Sequence, residues 1–197
     1  MNNTIEPAKT IAPPKRADAR RNEQTLLDAA AALFVTSGVD VPVRDIAARA
    51  GVGTGTIYRH FPTRAELIGA VYRHQVDACA EAGPALLARS SSPYVALACW
   101  TDLFVDFLVT KHGLAAAMQS DKPGFASLHL SFLERLLPVC AEITSAAVQS
   151  GELQPDVGAF EVMYAIGNLC AGAGADPRYD ARLMVRRLIA GLRFPPG

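Results

Sequence analysis

Five hydrogen-bonding side chains of four kinds lie close together near residue 57, spaced as on one face of a short helix. They are Thr54, Thr56, Tyr58, Arg59 and His60. The helical period turns Ile57 inward and leaves its polar neighbours largely outward. Hydroxyl and guanidinium groups reach both phosphate oxygens and base edges in the major groove of DNA. The pattern predicts a nucleic-acid contact surface, and a solvated polar face is the alternative.

The segment Val41–Phe61 must position these groups, and it reads as two short helices joined by a glycine turn. Ile46 and Ala50 share an apolar face on the first helix. Gly51 follows directly, where a helix end often needs a left-handed residue, and Gly53 can cap the second helix. This layout is a helix-turn-helix, in which the second helix reads the DNA.

The sequence resembles the TetR/AcrR family of one-component repressors. The blocks Arg-Asp-Ile-Ala (44–47), Ala-Gly-Val (50–52) and Thr-Ile-Tyr-Arg-His-Phe (56–61) are close to the wording of that family, and the resemblance extends over residues 20–76. Many relatives have Ser or Thr where this chain has Pro42 and Gly53. Proline suits a first helical turn and glycine a cap, so both positions are compatible with the motif.

The resemblance implies an all-α fold with an N-terminal three-helix helix-turn-helix DNA-binding domain and a larger helical domain for ligand binding and dimerisation. The partners it implies are double-stranded DNA with a pseudo-palindromic operator, a second copy of the chain and a small-molecule effector. Two recognition helices would then lie about 34 Å apart in successive major grooves. The expected DNA contacts are Arg44, Thr54, Gly55, Thr56, Tyr58, Arg59, His60 and Arg64. Of these, Arg64 would face phosphate together with the free amides of the first turn of its helix. Two alternatives stay open: His60 could stack beside Phe61, and Arg44 could be an exposed helix-start residue.

Charge is distributed unevenly although the formal net charge is zero. Residues 1–76 carry ten Lys or Arg against seven Asp or Glu, and residues 77–197 carry nine against twelve, so the balance is +3 and then −3. A mildly basic front half agrees with a nucleic-acid surface. The hydrophobic content of 50% argues against general disorder and predicts a sizeable core.

The four cysteines are widely separated and lack metal-ligand spacing, so we expect no metal site and a reducing cytoplasmic setting. We recognise neither a signal peptide nor an apolar stretch of about 18 residues, so we expect no membrane association.

Residues 1–18 read as a flexible arm. Four basic residues at its end and just beyond it could touch backbone phosphate, and the alternative is a tail with no role; they are Lys15, Arg16, Arg20 and Arg21.

Apolar periodicity predicts helices over about 19–37, 63–82, 94–110, 114–119, 127–149, 154–171 and 178–193. Gly83 and Pro84 mark the end of a linker helix, Pro138 predicts a kink and Gly151 a helix stop. We expect a helix-turn-helix domain over 19–62, a linker helix over 63–82 and a ligand-binding and dimerisation domain over 83–197. The resemblance places the dimer in the last two helices, as a four-helix bundle of two chains.

Large apolar residues and a few polar ones on the later helices are candidates to line an effector cavity, since ligand sites are mostly apolar with a few placed polar groups. They are Trp100, Thr101, Phe104, Phe107, Met118, Phe125, His129, Phe132, Met163, Tyr164 and Asn168. Ordinary core packing or surface exposure is the alternative for each of them. An apolar, aromatic lining would suit a hydrophobic or aromatic effector whose identity does not follow from the sequence.

Enzymatic motifs are not recognisable. The glycine run Gly51–Gly55 lacks a preceding strand and a following Gly-Lys-Ser/Thr, so it does not fit a nucleotide loop, and no cofactor is expected. No serine elbow, helical histidine pair or acidic cluster offers a catalytic centre. The prediction is a sequence-specific DNA-binding transcriptional regulator, a repressor released by an effector. The alternative is a helical small-molecule carrier or enzyme with a vestigial DNA-binding motif.

Overall fold

The computed structural model of the chain describes residues 14–117, 122–171, 173 and 176–193, and the side chains within 21–108, 131–171, 173 and 176–193. These residues form eight helices and no strand, which confirms the all-α fold class. The helices are α1 (Pro14–Ser37), α2 (Val43–Ala50), α3 (Thr54–His60), α4 (Arg64–Arg89), α5 (Pro93–Ala117), α6 (Lys122–Gln149), α7 (Ala159–Ala171) and α8 (Ala181–Gly191).

The linker helix is longer than predicted, because α4 passes through Gly83 and Pro84 and ends at Arg89. An interior proline removes its own N–H donor from the helix. Burial of Leu86 on the far side favours continuation of the helix beyond that point. Gly83 serves packing: a Cβ at this position would overlap Cγ1 of Val139 on α6. The glycine permits a close helix crossing, so its presence did not indicate a helix end.

Helix α5 also continues where a break was predicted. It runs through Gly113 to Ala117, so the separate helix predicted to begin at Leu114 is wrong. A single interior glycine costs about 1 kcal/mol relative to alanine, which neighbouring helical residues readily outweigh. Helix α1 begins at Pro14 rather than near Ala19, and α6 begins at Lys122 rather than near Ser127.

The last two helices are shorter than their apolar patterns predicted. Helix α7 starts at Ala159, after an irregular segment from Gln154, and α8 starts at Ala181. The carboxylate of Asp180 caps α8 by accepting a 2.9 Å hydrogen bond from the Leu183 amide. The predicted stop at Gly151 is confirmed, since its φ of 75° is the left-handed conformation that glycine adopts without strain.

One continuous core joins the two ends of the molecule. Phe34, Ile46 and Ile57 bring α1, α2 and α3 together at the N-terminal end, and all three side chains are almost completely buried. Helix α4 packs against α1 at this end and against α5 and α6 further along. A single helix therefore connects the first three helices to the larger helical body.

Candidate nucleic-acid interface

The turn between α2 and α3 is built by backbone geometry. Gly51 has a φ of 69°, and the amide of Val52 donates a 3.0 Å hydrogen bond to the carbonyl of Ala47. Gly53 precedes α3 in an extended conformation and offers no side-chain cap. Such a compact turn sets the crossing of the two short helices. Ile57 anchors α3 in the core and so fixes which side of the helix faces outward.

The outer side of α3 carries the polar residues that the sequence pattern singled out. Tyr58 is 53% exposed although it follows the buried Ile57 directly. Thr54, Gly55, Arg59 and His60 are also exposed, whereas Thr56 is half-buried. A Cβ added at Gly55 would meet nothing within 4 Å, so the backbone there is open to a close approach. The fold thus brings six of the eight predicted contact residues onto one short helix.

Arg44 and His60 have ordinary neighbours within the chain. The Nε of Arg44 lies 3.5 Å from Oδ1 of Asp45 in an ion pair whose two side chains are 80% and 49% exposed. Pairs this exposed contribute at most about 1 kcal/mol and exchange readily with other partners. The centroid of the His60 ring lies 6.1 Å from that of the Phe61 ring, and the two ring planes are 41° apart. His60 therefore packs beside Phe61 and is still exposed to solvent.

The structure places Arg64 differently from the expectation that it faces phosphate. Its side chain is half-buried, and its Nη2 donates hydrogen bonds to the carbonyl oxygens of Val39 and Val41, the latter at 2.7 Å. The Nε of the same group is buried without a hydrogen-bond partner. The guanidinium is therefore engaged with the backbone of the segment between α1 and α2.

Four of the eight predicted cavity residues whose side chains are described pack together as an aromatic cluster. Trp100 is completely buried, and its Nε1 donates a 2.9 Å hydrogen bond to the carbonyl of Cys79. The ring centroids of Trp100 and Phe104 are 5.4 Å apart, those of Phe104 and Phe107 5.9 Å, and those of Phe107 and Phe132 5.3 Å. In this structure these rings therefore contact one another.

Three further candidates lie elsewhere or have local partners. Tyr164 is 64% exposed and Asn168 is exposed, so the prediction that they line an interior cavity is wrong for this structure. Their position on the outer side of α7 gives the physical reason, because the inner side is occupied by the buried Met163 and Ile166. Thr101 is buried, and its hydroxyl donates to the carbonyl of Ala98 one turn earlier. Met118 lies outside the described residues, as do the side chains of Phe125 and His129.

Tyr72 was missed by the sequence reading and belongs to the aromatic cluster. Its ring lies 5.0 Å from that of Phe107, and burial raises the pKa of its phenol above the usual value. The apolar neighbours Ile68, Val71 and Val76 on the same helix could have indicated a buried position. Tyr72 lies on α4, so the helix that packs against α1 at the N-terminal end also contributes to the aromatic interior.

An ion cluster lies between α5 and α8. Arg182 pairs with Asp102 at 3.1 Å and with Asp106, and Arg186 pairs with Asp102 at 3.2 Å. Burial alone would lower the pKa of Arg182, but its hydrogen bonds to the two carboxylates and their charges raise it above the usual value. A shallow groove of about 240 Å³ lies beside this cluster, lined in part by Cys99 and Arg186. These pairs fasten α8 to the body of the molecule.

Within the described residues, no group of three or more His, Cys, Asp or Glu side chains is arranged to hold a metal ion. Over the same part of the chain, none of the helices is long and apolar enough to cross a lipid bilayer.

Comparison with known proteins gives consistent results for both ends of the chain. Residues 26–71 match the family of bacterial regulatory proteins called the tetR family. The fold is similar to the TetR transcription regulatory protein from Mycobacterium vanbaalenii, with a TM-score of 0.66 and 31% identity over 92% of this chain and 100% of that one. It is also similar to the TetR transcriptional regulator SCO0520 from Streptomyces coelicolor, with a TM-score of 0.71 and 29% identity over 89% and 99% of the two chains.

Proposed function

The chain belongs to the TetR family and is a DNA-binding transcriptional regulator, and on that premise we propose that it is a homodimeric repressor released from its operator by a small-molecule effector. The observation that carries the proposal is the outer face of α3, where Tyr58 stands exposed beside the buried anchor Ile57. An exposed tyrosine on a short helix that also exposes Thr54 and Arg59 suits contact with phosphates and base edges. The proposed DNA contacts are Arg44, Thr54, Gly55, Thr56, Tyr58, Arg59 and His60.

The proposed homodimer forms through α7 and α8. Phe160 and Tyr164 are 52% and 64% exposed, and their rings stack with centroids 6.0 Å apart. Leu183 adds a 43% exposed apolar side chain on α8. Large apolar side chains exposed together mark interaction surfaces. A two-fold axis here would bury the same patch on both chains and present two α3 helices to one pseudo-palindromic operator.

The proposed effector site lies among the aromatic residues contributed by α4, α5 and α6. Tyr72, Trp100 and Phe132 are drawn from those three helices in turn. A hydrophobic or aromatic effector is the chemical class that such surroundings favour. An effector that binds better to a wider separation of the two α3 helices must lower DNA affinity by the same factor, because the two equilibria are linked. Helix α4 is the element that transmits the change.

The test is fluorescence-anisotropy binding of the full chain to the intergenic DNA upstream of its own gene, at two salt concentrations, with random DNA as the reference. Tyr58→Ala is the matched variant, because removing an exposed side chain leaves the core intact. We expect tight, salt-sensitive binding that Tyr58→Ala abolishes. The proposed reading surface is wrong if neither the upstream DNA nor any duplex selected from a random-sequence library is preferred over random DNA. It is also wrong if Tyr58→Ala binds as well as the wild type.

A compound screen then tests the effector. A compound that binds the protein should lower operator affinity, and operator DNA should lower affinity for the compound by the same factor. Compounds that bind in the aromatic interior without changing operator affinity would contradict effector release and would favour a carrier.

A further inference from the structure

Arg64 is the first residue of α4, and its side chain reaches back across the DNA-reading end of the molecule. Its Nη2 donates to the carbonyls of Val39 and Val41, which precede it by 25 and 23 residues. Both carbonyls belong to the segment that connects α1 to α2. One charged group therefore ties the start of the linker helix to the segment that leads into the helix-turn-helix.

That segment controls where α2 begins. Val41 is buried, and the following residue, Pro42, is the N-cap of α2. The carbonyl of Pro42 accepts a 2.9 Å hydrogen bond from the Asp45 amide, which closes the first turn. Since α2 packs directly against α3, a shift of this segment would move the reading helix as well.

The position of Arg64 is itself well defined. A reciprocal capping box holds the first turn of α4: the amide of Glu66 donates to Oγ1 of Thr63 at 3.2 Å, and the Thr63 amide donates to Oε2 of Glu66 at 2.8 Å. A second tie lies further along, where Nε2 of His74 is 2.7 Å from Oδ1 of Asp28 on α1. The first part of α4 is thus fastened to the reading end at two separate places.

We propose that Arg64 is a positioning residue for DNA recognition: it holds α2, and through it α3, at a set orientation to α4 by way of the Val39 and Val41 carbonyls. This inference rests on the proposed DNA-binding role of α3. In this role Arg64 acts through its hydrogen bonds to the backbone carbonyls and not through contact with a DNA phosphate. Movement of α4 would then pass to α3 through this tie.

A phosphate contact by Arg64 is the competing explanation, and the substitution Arg64→Lys separates the two. Lysine would keep the positive charge that a phosphate needs, but its shorter side chain would not carry the ammonium to the place that Nη2 of Arg64 occupies between the two carbonyls. The positioning role predicts that Arg64→Lys binds the operator as weakly as Arg64→Ala does. A phosphate role predicts that Arg64→Lys binds the operator as tightly as the wild type does.

The experiment measures binding of the full chain to operator and to random DNA over a range of salt concentrations. We expect Arg64→Ala and Arg64→Lys to weaken operator binding roughly tenfold or more, as for a lost hydrogen bond to a charged group. Binding to random DNA and its salt dependence should stay unchanged. Arg59→Ala, by contrast, should reduce the salt slope by about 0.9 on both DNAs, as for one lost phosphate contact. The matched control is Arg73→Ala, which removes an exposed arginine on the same helix as Arg64. It should change neither the operator affinity nor the salt slope.

Hydrogen exchange provides a readout that does not depend on DNA. Amides of residues 39–50 should exchange faster in both Arg64 variants, with less change in α5 and α8. Thermal unfolding checks that each variant is folded at the assay temperature, because a general loss of folded protein would lower operator and random binding equally. Unchanged exchange, or operator binding by Arg64→Lys equal to that of the wild type, would overturn the positioning role. If exchange rises but even the wild type prefers no duplex, the proposed function has failed and the role in recognition falls with it.

Discussion

Phe160 and Tyr58 are aromatic side chains of nearly equal exposure, 52% and 53%, on two different proposed surfaces. Because the two residues lie on different surfaces and expose similar areas, alanine substitutions at the two positions form a matched pair that distinguishes dimerisation from DNA binding. Phe160→Ala should weaken the dimer and leave the reading surface intact. Tyr58→Ala should leave the dimer intact and abolish operator binding.

The size of the dimer effect follows from the area that Phe160 offers to a partner. An aromatic side chain has roughly 200 Å² of surface, so 52% exposure leaves about 100 Å² available. At about 25 cal/mol per Å², its burial contributes about 2.5 kcal/mol, and alanine would keep a small part of it. A two-fold interface contains the residue twice, so the dimer should lose about 3 to 4 kcal/mol. The dissociation constant should rise between about 100-fold and 1,000-fold.

Sedimentation velocity over a range of protein concentrations measures this constant for the wild type and both variants. Thermal unfolding at one fixed concentration checks that each variant is folded. Operator binding by Phe160→Ala should recover when the protein concentration is raised above the new dissociation constant, because the α3 surface is unchanged. Operator binding by Tyr58→Ala should not recover.

Two results would refute the reasoning. A dimer constant for Phe160→Ala within a few-fold of the wild type would show that α7 is not at the interface. An equal weakening of the dimer by Tyr58→Ala would show that the two surfaces are not separate.

Three further changes test the packing and the chemistry of the chain. Gly83→Ala should lower the melting temperature. Crowding against Val139 costs about 1 to 3 kcal/mol, and the helical preference for alanine returns about 1 kcal/mol, so the net loss of stability is at most about 2 kcal/mol. Gly69→Ala is the control: its new Cβ meets only ordinary contacts, so it should not lower the melting temperature. Thr63→Ala should cost about 1 kcal/mol of folding free energy in denaturant titration by removing the α4 cap, and an unchanged midpoint would contradict the capping role. In the folded protein a thiol reagent at pH 8 should modify Cys99 rapidly and reach the other three thiols after unfolding, since Cys99 is exposed and burial raises the other pKa values; a second fast thiol would disprove this. Those pKa values are about 12 for Cys79, where Asp106 adds to the effect of burial, about 11 for Cys140 and about 11 for Cys170.

The DNA-reading end was the part most open to prediction from the sequence. Gly51 requires a left-handed conformation and Ile57 requires burial, and both requirements act over a few residues. Local periodicity then places Tyr58 outward with no knowledge of distant contacts. Helical spacing is also a short-range property, and it predicted the individual helices, while the family resemblance implied the all-α class.

Helix ends and the roles of single residues in the larger domain depended on tertiary contacts. Gly83 read as a helix end because its packing partner, Val139, lies 56 residues further along the chain. Tyr164 is an aromatic residue of the kind that lines cavities, yet it lies on the outer side of α7 and is exposed. An apolar side chain on a helix can serve the interior or an interface equally well, and only the neighbouring helices decide between the two.

Arg64 shows the same division within one residue. Its charge and its place at the start of a helix after the reading motif predicted a phosphate contact. The carbonyls that accept its hydrogen bonds belong to residues more than twenty positions earlier. Sequence alone determined that a guanidinium stands at this point, and the folding of the α1–α2 connection against α4 decided what that group binds.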